Sequence, residues 1–164
     1  MRILGVVIAV AALTACGTSE PPPVDIAKVD PCQVLVDEET SGRGLGRGVE
    51  MAPVGEWRLC RWSAEGDSGS KVRSVTVSTM SVLASTFAES ANASYTVSDH
   101  ADVNGRKVVR FVEKKPAPGT EACGALISFH DKATVHVQIA VPANTGTSCD
   151  DLEPLLPLVE SRVR

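Results

Sequence analysis

The feature that most limits what this chain can become lies at its start, where Arg2 precedes an apolar run from Ile3 to Leu13 that ends in Leu13-Thr14-Ala15-Cys16. A cation, a short apolar stretch and small residues before a cysteine form the pattern of a bacterial lipoprotein signal, in which cleavage before Cys16 leaves its sulfur carrying a diacylglycerol. The run is about 11 residues, well short of the roughly 20 that span a bilayer as a helix, so it reads as a signal and not as a membrane span. Residues 1–15 are expected to be removed, Cys16 to be the lipidation site, and the remainder to fold on the extracytoplasmic face of the cell membrane. Acyl chains contribute about 0.8 kcal/mol per buried CH₂, so several on one cysteine anchor a protein of this size firmly.

Residues 16–29, with Gly17-Thr18-Ser19-Glu20 followed by Pro21-Pro22-Pro23, read as a polar and then stiff tether. Residues 30–164 have the length of one domain with one hydrophobic core. Within it stand Cys32, Cys60, Cys123 and Cys149. An even set of cysteines in an exported chain implies disulfides, although four permit three pairings and sequence alone does not choose among them. Cys32 with Cys60 and Cys123 with Cys149 is favoured, because each pair then joins neighbouring elements of its own half. No Cys-x-x-Cys occurs and no histidine has ligand-like spacing to a cysteine, so neither a metal nor another cofactor is expected. The balance of 16 Lys and Arg against 20 Asp and Glu lacks the basic footprint that nucleic acid selects.

The pattern of elements predicts an α+β fold, an antiparallel sheet flanked by helices. Asp30-Pro31 can start a helix through residue 41, with Cys32, Leu35 and Val36 on one face. The alternating glycines of Gly42-Arg43-Gly44-Leu45-Gly46-Arg47-Gly48 should then end regular structure. Residues 55–63 alternate, with Cys60 and Trp62 on one side and Leu59 and Arg61 on the other. Residues 71–80 are β-prone, and residues 81–92 are helical in pattern. Residues 95–97 and 106–113 read as strands, with a turn at Asn104-Gly105. Residues 122–130 and 134–141 form the clearest hairpin; a three-residue loop, Asp131-Lys132-Ala133, would pair Phe129 with Val135, Ile127 with Val137 and Ala125 with Ile139. Leu152, Leu155, Leu156 and Val159 recur at helical spacing, with Pro157 expected to shorten or kink that helix.

Candidate sites are sparse. In that hairpin register His136 sits opposite Ser128 on the polar face, with His130 diagonal to it, an arrangement that could share a metal but lacks a third ligand. Ser98-Asp99-His100 has the residue types of a hydrolase triad, yet neighbours on an extended chain point apart, and a polar turn is the simpler reading. The glycine-rich loop with Arg43 and Arg47 could cradle an anion, but it follows a helix and so fails the dinucleotide pattern. Asp37-Glu38-Glu39 reads as the solvated side of the first helix, and Lys114-Lys115-Pro116-Ala117-Pro118-Gly119 as an exposed loop that could touch an acidic partner. Aromatic content of 4% argues against a large aromatic binding patch and leaves sites lined by Val, Leu and Ala.

The lipoprotein signal, then Asp30-Pro31-Cys32 with Val34-Leu35, then Cys60-Arg61-Trp62, occur in that order. Together they resemble the actinobacterial lipoproteins of the domain-of-unknown-function 3558 family, over residues 30–163. The resemblance implies a secreted, anchored, two-disulfide domain and carries no assigned catalytic residue. A looser likeness in compartment and cysteine number is to extracellular sensor-type domains of actinobacterial kinases. The expectation is thus a membrane-anchored binding module of the cell envelope, not an enzyme, engaging a protein partner or a small apolar ligand. The alternatives are an envelope hydrolase assembled from distant residues such as His100 or His136, and a structural spacer.

Overall fold

The computed structural model describes residues 24–66, 70–91, 93–130, 132–143, 145 and 148–163. The signal, most of the tether and Cys16 lie outside them. Seven strands, β1 (Val49–Val54), β2 (Trp57–Ser63), β3 (Ser74–Met80), β4 (Tyr95–Val103), β5 (Arg106–Glu113), β6 (Thr120–His130) and β7 (Ala133–Pro142), make one antiparallel sheet in the order β1-β2-β3-β7-β6-β5-β4. It is two meanders joined along β3 and β7, so each chain-adjacent pair is a hairpin except β3 to β4. That one connection must pass over β7, β6 and β5 to reach the far edge, and it carries helix α2 (Ala84–Ala91) across the sheet.

Strand alternation assigns the faces. Val75, Val77, Ile127, Ala125, Val135, Val137 and Ile139 point to one side and are fully buried. Two caps cover this side. The segment carrying 3₁₀ turns Ile26–Lys28 and Pro31–Gln33 lies on β1 to β3, and α3 (Ser148–Leu152), a 3₁₀ turn Glu153–Leu155 and α4 (Leu156–Arg162) lie mainly on β4, β6 and β7. Each cap is bonded to the strands beneath it, by Cys32–Cys60 and by Cys123–Cys149. This is the favoured pairing, and each disulfide joins neighbouring elements of its own half. The sheet dominates: among the described residues the α-helices other than α2 are only five to seven residues long, and the longest, α2 with eight, lies on the opposite side. Flanking by helices therefore holds only in part.

Several expectations change. The helix over residues 30–41 is broken: Asp30 does cap the turn by accepting from the Cys32 amide at 3.0 Å, but Val36 is extended and a separate helix α1 runs Asp37–Ser41. Three acids in the first turn, favoured by the positive helix end, mark a new start, and Glu39 accepts from the Val36 amide at 3.2 Å. Leu35 is buried, whereas Val36 is exposed. Strand β1, at the sheet edge and exposed throughout, was not expected from its sequence. The polar triplet Ser98-Asp99-His100 is strand and not turn, since β4 extends through it to Val103. Asn104 and Gly105 do form the turn, with φ of 50° and 79°.

The hairpin register is also different. Ile127 pairs with Val135 and Ala125 with Val137, and the ladder shifts between Ser128 and His130, which pairs with Ala133. Pairing of His130 with Ala133 leaves a two-residue loop in place of the three expected, and a bulge at Phe129 adds one more residue, so the strands are displaced by two relative to the expected pairing. A slip of two keeps every side chain on its own face, so the apolar pattern is satisfied by both registers. Pro157 falls in the first turn of α4, after Pro154 in the preceding 3₁₀ turn, and the C-terminal helix is split there.

Candidate functional site

The sheet side under α2 is where polar and apolar groups combine unusually. β3 and β7 send Ser78 and His136 to it from a directly paired position. His136 lies opposite Leu126 and not Ser128, on the same face as expected, but that face is covered and His136 is buried on it instead of meeting solvent. Ser78 is 1% exposed and His136 9%, and Ser78 Oγ and His136 Nε2 have no hydrogen-bond partner among the described residues. Burial lowers the His136 pKa to about 4, so the imidazole is uncharged at neutral pH.

Around this pair stands a ring cluster. The Phe111 and Phe87 centroids lie 5.0 and 6.2 Å from His136, Phe87 is 5.5 Å from Trp57, and Tyr95 meets Phe111 edge-on at 5.3 Å. Met80, Ala84 and Leu126 complete its buried part. Gly124, paired with Phe111, lets that ring lie flat on the strand; a Cβ there would collide with it. The chain has two Trp, one Tyr and three Phe, and four of these six rings are gathered here. Low aromatic content did not announce this cluster, because packing of rings depends on where they converge and not on their number. Burial, and then the Glu113 charge, raise the Tyr95 pKa. The cover is thin. Thr134 Oγ1 donates to the Val82 carbonyl at 2.6 Å just before α2, and Leu83 remains 42% exposed.

The other candidates resolve into structural roles. His100 lies on the opposite face, where its Nε2 meets the Glu153 carboxylate at 2.7 and 2.9 Å and its Nδ1 the Ala101 carbonyl at 2.6 Å. Asp99 projects to the other side of β4, so the triplet is not a triad. Beside it Arg106 Nε donates to Glu160 at 2.9 Å, its Nη1 to the Phe129 carbonyl at 3.2 Å, and its guanidinium stacks 4.3 Å from the Phe129 ring. Asn104 Nδ2 donates to the same Glu160 at 2.7 Å. These contacts clasp the β4–β5 hairpin to the C-terminal helices. Neither Glu153 nor Glu160 was singled out from sequence, and nothing local to either signals its distant partner. The His130 side chain lies outside the described residues.

The glycine-rich loop is a close-packed connection. Gly48 abuts the Trp62 indole without space for a Cβ, Gly46 lies against the movable Glu65 carboxylate, and Gly44 has a φ of 74°. Trp62 Nε1, on the capped face, is buried without a partner against Gly48. The adjoining depression, about 470 Å³, is lined by Asp37 and Glu65 with Arg47, and Arg47 pairs with Asp37 at 3.7 Å. Two carboxylates at its wall repel the anion that the arginines suggested. Glu39 pairs with Arg162 of α4 at 2.6 Å, which lowers the Glu39 pKa. Lys115 is exposed beside a small depression lined by Ser94 and Glu113. Among the described residues no group of three His, Cys, Asp or Glu could hold a metal, and no helix is long and apolar enough to cross a membrane.

No curated protein and no solved structure matches the chain. Residues 11–162 do match a family, a span that takes in both disulfides, the whole sheet and the face under α2. The chain belongs to the family described as Protein of unknown function (DUF3558).

Proposed function

We propose that this is a lipid-anchored protein on the extracytoplasmic face of an actinobacterial cell membrane, and that it works as a binding module of the envelope and not as an enzyme. The observation that carries the binding reading is the face under α2, where a ring cluster surrounds two buried polar atoms and only a short helix covers them. The anchor rests on the sequence around Cys16, the one cysteine left once Cys32–Cys60 and Cys123–Cys149 are formed. A mildly acidic chain suits a protein partner or a small apolar ligand and not nucleic acid.

A hydrolase is the second reading, favoured by the direct cross-strand pairing of Ser78 with His136. A nucleophile and base in contact would share a hydrogen bond, and these two do not. For the anchored reading, a host fed an alkynyl fatty acid should label the wild-type protein, and Cys16→Ser should abolish both the label and tight association with the membrane fraction. Labelling that survives the substitution, or wild type that never labels, overturns it.

A further inference from the structure

We propose that the face under α2 binds a small uncharged molecule, apolar or aromatic in its body and bearing one hydroxyl or carbonyl group, with that group seated on Ser78 and His136. The inference rests on the binding-module reading and names its ligand class. Its first support is the cost of the present arrangement. A buried polar atom without a partner is unfavourable, and two on adjacent paired positions, surrounded by rings, make a polar spot in an apolar setting. Small-molecule sites share that composition, a mostly apolar wall with few convergent polar groups.

The chemistry of the pair selects the ligand. Ser78 Oγ both donates and accepts, and the neutral imidazole presents Nε2 as donor or acceptor according to its tautomer. A ligand hydroxyl satisfies either tautomer, and a carbonyl accepts from both residues when Nε2 carries the proton. The body of the ligand would lie against Phe111, Phe87 and Met80. Entry requires α2 to move outward, and this helix has only eight residues, too short to hold its form without its packed side chains. Trp57, 5.5 Å from Phe87, stands where that movement changes its surroundings.

The test compares 4-ethylphenol with ethylbenzene on the exported, disulfide-bonded protein, followed by the ¹⁵N resonances of the His136 ring and by fluorescence with Trp62 replaced by Phe. The phenol should shift the Nε2 resonance and bind about tenfold more tightly than the hydrocarbon, the worth of one well-made buried hydrogen bond. Ser78→Ala and His136→Phe should each remove most of that preference while ethylbenzene binding persists. Equal affinity for the two probes, or an unchanged His136 resonance at saturating phenol, overturns the proposal. The wild-type comparison decides the matter alone if either variant fails to fold. Failure here with fatty-acid labelling of Cys16 intact would remove this ligand class and leave the anchored reading standing.

Discussion

His136 carries a pH dependence that can be worked out from its environment. Its pKa is about 4 in the folded protein, through burial, against about 6.5 for an unperturbed histidine. Between those values the unfolded chain binds the extra proton, so stability is full above about pH 6.5 and falls as the pH drops toward 4, by about 3 kcal/mol in all. Urea midpoints measured across that interval should show the decline, and His136→Leu should flatten it; an equally steep curve in the variant would mean another group is responsible. Gly124 makes a second residue-scale case. Adding a Cβ by Gly124→Ala forces the Phe111 ring off the strand, with an expected cost of about 1–3 kcal/mol in thermal or urea unfolding. The sequence shows a glycine inside a strand, which hints at close approach, but not which ring approaches. Trp62 was legible as core from its alternation with Cys60, whereas Gly48, packed on it, read only as punctuation.

At the scale of elements, what could be read was the face each strand presents, and what could not was the register and the partner. Val75 and Val77, or Val135 and Val137, declare a buried side by alternation alone. The two-residue loop and the bulge at Phe129 together leave that alternation intact, so no periodicity distinguishes the two registers, and with them which residue stands opposite His136. The first helix broke for a local reason, three acids making a fresh helix start. The spacing of Leu152, Leu155, Leu156 and Val159 announced the C-terminal helices, yet their attachment runs through Glu160 and Arg106, 54 residues apart. The pair is nearly buried, with side chains 8% and 11% exposed. Arg106→Leu would leave the Glu160 carboxylate without its cation, held by Asn104 alone among the contacts described, and should destabilise by about 3 kcal/mol, while the double variant with Glu160→Leu should recover much of that loss. Urea titrations of the three variants form the cycle; simple additivity would show that the two side chains do not act together.

For the whole molecule, the topology assigns the disulfides separate tasks. The three-strand and four-strand meanders meet only along β3 and β7, and each is capped by a segment from its own end of the chain. The even cysteine count was legible, and so was the preference for pairing within halves; the strand order that makes those halves was not, because antiparallel hairpins can be stacked in several orders with the same alternation. Loops of 28 and 26 residues are closed, each contributing about 3–4 kcal/mol in the chain-entropy model. A domain of this size has about 5–15 kcal/mol in total, so removal of both bonds should leave the chain largely unfolded at 37 °C. Removal of one should act by halves. With Cys32→Ser and Cys60→Ser, hydrogen exchange should accelerate in residues 24–36 and β1 to β2 while β6, β7 and α3 stay protected. With Cys123→Ser and Cys149→Ser, the loss should fall first on α3 and α4. If either pair instead removed protection from all seven strands at once, the β3–β7 seam would have to be as strong as the hairpins it joins, and the sheet would be a single cooperative unit.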